Sequence, residues 1–275
     1  MDGASLPRLL LSRKKNGGRC PQLLRFGPSI NQIVVDSIHW LFLCGALCCA
    51  GFLQGLGGFG FGMVSMALLP LIMGIKEAAV ISTAFTLIST AITFARYYRE
   101  YQWRRGAGFL VSVCVGLPFG VFFLEKSSEH LLARILGALM LAYAGREFLL
   151  GDRKQAIPKL WTVPLGLFSG AMSGAFNLGG VPSAAYAYSQ PWSRGQIMSF
   201  LQVMISVSCL LRLAFYSNAG LLQRISWAQA VILVIPLYAT IWFGNWVLDR
   251  THPTRLRQII FVFIVLSGLY YLLFH

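Results

Sequence analysis

Acidic side chains are scarce in this chain: nine Asp and Glu stand among 275 residues, against 23 Lys and Arg. Charged residues of both signs make up 12% of the sequence, where soluble domains carry about 25%. A water-soluble globule of this size needs a charged shell that this composition does not supply. Hydrophobic residues reach 56% and mean hydropathy is +0.66, which also excludes intrinsic disorder. Cysteine is sparse too. Of six, Cys44, Cys48, Cys49, Cys114 and Cys209 lie inside apolar runs, so no disulfide framework is implied. Cys44 and Cys48 share a helix face but have no hard ligand beside them, so no metal site is expected. The sequence has no HExxH, no GxSxG and no Walker loop. No pair of acids occurs within an apolar run. Neither an enzyme nor an ATP-driven pump is expected, and no cofactor is called for.

What remains is apolar sequence punctuated by base. The formal net charge is +14. It gathers in the tail before residue 33 (Arg8, Arg13, Lys14, Lys15, Arg19, Arg25) and in short clusters such as Arg96, Arg99, Arg104 and Arg105. That distribution suits cytoplasmic loops and anionic headgroups, so the lipid bilayer is the expected partner and nucleic acid is not. No cleavable signal peptide is evident. The tail, the Arg96–Arg105 loop and the Arg153–Lys159 loop are expected on the cytoplasmic side. Arg250, Arg255 and Arg257 conflict with a simple count of crossings, which leaves the orientation of the second half open.

Two uncharged stretches stand out. Trp40 to Ile75 runs for 36 residues and Leu160 to Ser193 for 34. The first would make a helix of about 54 Å, against a hydrocarbon core of about 30 Å. It is too long for one span and short for two. Its middle holds six glycines in the twelve residues from Gly51 to Gly62, which weakens a continuous helix. The second stretch has Gly170, Gly174, Asn177, Gly179, Gly180 and Pro182 in its middle. Each reads as a broken or re-entrant element, the first followed by a short helix that stops near Pro70 and Gly74. Ordinary spans are expected at residues 78–95, 106–124 and 131–150, then at 195–217, 225–248 and 258–274.

The halves align. Gly57-Gly58 pairs with Gly179-Gly180, Pro70 with Pro191, Gly74 with Gly195, Trp103 with Trp227, Phe119-Gly120 with Phe243-Gly244 and Arg134 with Arg257. The offset stays between 121 and 124 throughout. The expected fold is therefore an all-α, polytopic integral membrane protein with about eight spans plus broken Gly-rich segments, in two repeated halves. The expected organisation is a basic tail (1–32), a first transmembrane repeat (33–151), a basic linker (152–159) and a second repeat (160–275). A homo-oligomer is compatible with this layout.

In hydrocarbon an unpaired backbone group costs several kcal/mol, so irregular backbone survives only against protein or a watery cavity. Two breaks at matching positions point to a shared site where helix N-termini favour an anion. Gly57, Gly58, Gly60, Gly179 and Gly180 are the expected backbone donors. Gln54, Asn177, Pro182 and Tyr188 complete the candidate set, with Asn177 the best amide donor to an oxyanion. The competing reading is that the glycines only let helices approach, and Gly51/Gly55 and Gly170/Gly174 have the spacing for that. Arg212 follows 17 uncharged residues inside a span. It either compensates an anionic substrate or snorkels to the interface.

Taken together, Gly55-Leu-Gly57-Gly58-Phe-Gly60-Phe-Gly62 with Pro70, and Asn177-Leu-Gly179-Gly180-Val181-Pro182 with Tyr188, Trp192, Arg194, Arg212 and Gly220-Leu221, resemble the TauE/SafE family of exporters. The resemblance covers about residues 40–274. Val181 stands where the Gly-Gly-Pro-Pro element of one branch has its first proline, and Phe59 and Phe61 separate glycines of the first break. The resemblance implies a secondary permease in a bacterial inner membrane that moves a small sulfur-containing anion, sulfite or organosulfonate, outward. It also implies that both breaks line the path. Two other readings stand beside it: an intramembrane sulfur-handling protein using Cys48 or Cys49, and a non-transporting membrane scaffold.

Overall fold

The structure is a computed structural model, and it describes residues 30–150, 158–218, 220, 227–250 and 264–273. The basic tail before residue 30, most of the 152–159 linker and the 258–263 part of the last expected span lie outside the described residues. Contacts divide the chain into Met1–Ser37 and Ile38–His275, and all packing below concerns the second unit.

Among the described residues every regular element is helical. The helices are α1 (Ile30–Gly57), α2 (Phe61–Leu68), α3 (Ile75–Tyr97), α4 (Trp103–Lys126), α5 (Glu129–Leu150), α6 (Thr162–Phe176), α7 (Gly180–Ser189), α8 (Arg194–Asn218), α9 (Trp227–Arg250) and α10 (Ile264–Leu273). Three helical stretches are long and apolar enough to cross a membrane: Ile75–Glu100, Gly106–Lys126 and Arg194–Asn218. Large apolar side chains such as Val111, Phe119, Phe122, Ile235 and Trp242 are exposed, as lipid-facing surfaces require.

Both uncharged stretches break where glycine predicts. α1 ends at Gly57, and Gly58 (φ 71°) and Gly60 (φ 119°) take left-handed conformations that a side chain would strain. α2 then runs until Pro70, in a short 3-10 turn, and Gly74 precedes α3. In the second half α6 ends at Asn177, also left-handed at φ 59°. α7 follows from Gly180. The double-glycine alignment pairs Gly58 with Gly180, but the backbone pairs it with Asn177. Asn is the side chain that best tolerates this conformation, because its short amide bonds locally.

Other glycines let helices touch. A Cβ on Gly55 of α1 would strike the Ile241 carbonyl of α9, and one on Gly174 of α6 would strike the Leu117 carbonyl of α4. These are close-packing contacts, so the packing reading holds for Gly51/Gly55 and Gly170/Gly174. α3 lies along α8, and the two broken elements flank that pair. The main core gathers Leu47, Phe61, Met66, Leu69, Leu117 and Leu136. A second, aromatic-rich core joins α4, α7 and α8 through Phe109, Tyr186 and Phe200.

Candidate functional site

The first break is held by two buried amides. Gln54, in the last turns of α1, donates from Nε2 to the Gly58 carbonyl (3.2 Å) and to Gln202 Oε1 of α8 (3.1 Å). Its own oxygen accepts from the Phe61 N–H, the first of α2 (3.3 Å). Gln202 Nε2 donates to the same Gly58 carbonyl. Groups orphaned by the break are thus satisfied by side chains from α1 and α8. The N-terminus of α2 is partly occupied by its own chain.

The second break is organised by Asn177 and Arg212. Asn177 Nδ2 donates to Ser82 Oγ (2.6 Å) and Thr86 Oγ1 (2.7 Å), both on α3. Its Oδ1 accepts from Arg212 Nη2 (2.6 Å). Both amide hydrogens are therefore committed, which revises the expectation that Asn177 donates to an oxyanion. It joins α3, α6 and α8 instead. Arg212 is fully buried, at 0% exposure. Its Nη1 donates to the Ser173 carbonyl and its Nη2 also approaches Cys209 Sγ (3.3 Å). Tyr216, one turn along α8, donates to the Gly174 carbonyl (3.2 Å). The guanidinium thus points at the C-terminal carbonyls of α6 rather than to a membrane interface, and the snorkelling reading does not hold.

Charge balance follows from burial. Arg212 is the one ionised side chain buried among the described residues, and no Asp or Glu is buried with it. Its Nε has no hydrogen-bond partner there. The α6 C-terminus offsets about half a charge through its dipole. The remaining positive charge sits in a low dielectric, where a counter-ion is worth most.

A small open cavity of about 20 Å³, room for one or two water molecules, lies between the breaks. Of the expected residues, Gln54, Gly60, Asn177, Gly179 and Gly180 line it. Gly58 and Pro182 are not on its wall. Tyr188 is half-exposed and touches Phe59, itself a lining residue, ring to ring at 6.5 Å. Arg212 stands directly behind the wall, bonded to Ser173 and Asn177, which do line it. Cys48 and Cys49 are not part of the lining. Sequence reading missed Gln202, Ser82, Thr86 and Ser208. Ser and Thr within apolar helices commonly bond their own carbonyls, so no local signal separated these from ordinary helix residues.

With the geometry established, comparison with known proteins adds identity. The profile of the sulfite exporter TauE/SafE family matches residues 41–271. The chain is 28% identical over 225 residues to a protein of Cupriavidus necator described as a probable sulfite/organosulfonate exporter TauE, covering 78% of this chain and 87% of that one. No solved structure matches.

Proposed function

The chain belongs to the TauE/SafE family of sulfite exporters, a family of membrane transporters, and from that premise we propose that it is a secondary permease that exports a small sulfur-containing oxyanion, sulfite or an organosulfonate. One observation carries this reading. Arg212 is buried without a carboxylate among the described residues, immediately behind a cavity that both helix breaks line. A buried guanidinium with no protein counter-ion is poised to take one from solution. The N-terminus of α7, with Gly179 and Gly180 on the wall, adds backbone N–H groups and a favourable dipole for the anion's oxygens.

Two repeated halves are part of this reading, and helix packing supports them. Each break-flanking helix packs on the fourth helix of the other half: α6 on α4 through Gly174, and α1 on α9 through Gly55. The two breaks meet directly: a Cβ on Gly62 would strike the Asn177 carbonyl, and Gly180 faces Phe59. In our reading about eight spans surround the site in an inner membrane, and the basic loops face the cytoplasm. An inside-negative potential then drives an anion outward by about 2.3 kcal/mol per charge per 100 mV, with no nucleotide required.

Flux into proteoliposomes tests the proposal. Sulfite, sulfoacetate, thiosulfate and sulfate are offered with and without an imposed potential. Transport of at least one sulfur oxyanion, accelerated by potential in the direction that moves negative charge down its gradient, is expected. No flux of any of them contradicts the proposal.

A further inference from the structure

Four hydroxyls line the cavity: Thr86, Ser173, Ser183 and Ser208. Each has a single proton to give, and hydrogen bonding commits three of them; the fourth, Ser173, stands on the Arg212 side, where its carbonyl accepts from the guanidinium. Thr86 Oγ1 donates to the Ser82 carbonyl (2.6 Å), and Ser208 Oγ donates to the Met204 carbonyl (2.7 Å). The third follows by elimination. Ser169 Oγ donates to the Gly179 carbonyl (2.7 Å), so in its contact with Ser183 Oγ (2.8 Å) it must accept. Ser183, on the wall, is therefore the donor and turns only lone pairs outward. The Thr86 oxygen is further engaged by Asn177, whereas Ser183 and Ser208 keep lone pairs to offer.

The charge on the other side is single. Arg212 is the one buried ionised group among the described residues, and the α6 carbonyls already offset part of it. One guanidinium neutralises a monoanion. A dianion would leave a second negative charge against oxygen lone pairs in a low dielectric, with no donor left among these three hydroxyls to meet it.

Resting on the anion-site reading above, we propose that the site selects singly charged sulfur oxyanions that carry their own hydrogen-bond donor, such as hydrogen sulfite or a hydroxyalkanesulfonate. The sulfur oxygens face the α7 N-terminus and the Arg212 side. The substrate's hydroxyl donates to Ser208, whose oxygen keeps its lone pairs free. Dianions are discriminated against by charge, and donor-free monoanions by the unmet acceptors.

Three ligands of similar size separate these effects: isethionate, a monoanion with a hydroxyl; ethanesulfonate, a monoanion without one; and sulfoacetate, a dianion. Their affinities are measured by titration calorimetry on the purified wild-type protein in detergent, at neutral pH. Isethionate is expected to bind about three- to tenfold tighter than ethanesulfonate, the range of one neutral hydrogen bond. It should bind at least about tenfold tighter than sulfoacetate. Ser208→Ala removes a hydroxyl bonded only within its own helix, and should weaken isethionate more than ethanesulfonate. Equal binding of isethionate and ethanesulfonate, or an unchanged ratio in Ser208→Ala, overturns the acceptor wall. Sulfoacetate binding as tightly as isethionate overturns the charge rule. Binding of the dianion alone leaves the anion site standing and sinks only this inference, whereas no binding of any ligand sinks both.

Discussion

At the scale of single residues, Arg212 and Asn177 form the centre of the proposed site. Arg212→Gln keeps much of the volume and the hydrogen bonding but removes the charge. It is expected to lower sulfite flux at least about tenfold, since loss of one member of a buried charge pair is costly. Arg212→Lys should not restore flux, because a single ammonium cannot reach Ser173 and Asn177 together as the forked guanidinium does. Asn177→Asp makes a sharper test. It places a carboxylate where Oδ1 now lies 2.6 Å from Nη2, supplying from within the counter-ion that the proposed site would take from solution. The variant gives up the donations to Ser82 and Thr86 and should lose its stabilisation by sulfite. A variant that still gains stability from sulfite would show that Arg212 is not the group the anion neutralises. Cys48→Ala, by contrast, should leave flux intact, and abolished flux would revive the sulfur-handling reading.

At the scale of elements, the two breaks look alike in sequence yet are held differently. Gln54 and Gln202 close the first with neutral amides, whereas Asn177 and Arg212 organise the second around a charge. The breaks themselves were legible from missing charge and surplus glycine. Their precise equivalence was not, because a left-handed Asn177 does the work of a glycine and a glycine count passes over it. Gln202, Ser82 and Thr86 were illegible for another reason. Each sits on a helix with no unusual spacing, and only tertiary packing of α3 and α8 brings them to the breaks. Arg212 was visible as a lone charge in an apolar run, but only its partners decided between burial and snorkelling. Two substitutions test the elements. Gly58→Ala forces a side chain into a left-handed conformation at φ 71°, at a cost of about 1–2 kcal/mol, and against Met198 Sδ. Gly174→Leu overpacks α6 against the Leu117 carbonyl of α4, which costs about 1–3 kcal/mol or more. Both should lower the melting temperature. Only Gly58→Ala is expected to impair flux out of proportion to the amount of folded protein.

At the scale of the whole molecule, low charge gives the membrane, and the placement of the few charges points to the proposed site. The family assignment adds membrane transport, which composition alone could not supply. The interior of the described fold holds one buried charge, two irregular backbone segments and a cavity between them. A structural scaffold would have no use for an uncompensated guanidinium, and replacing it with an apolar side chain would improve its stability. The most direct measurement is therefore sulfite flux in proteoliposomes carrying wild-type protein and Arg212→Gln side by side, at equal folded protein and under an imposed potential. The account predicts potential-dependent flux in wild type and its near-complete loss in the variant. Equal flux in the two, or none in wild type, would contradict it.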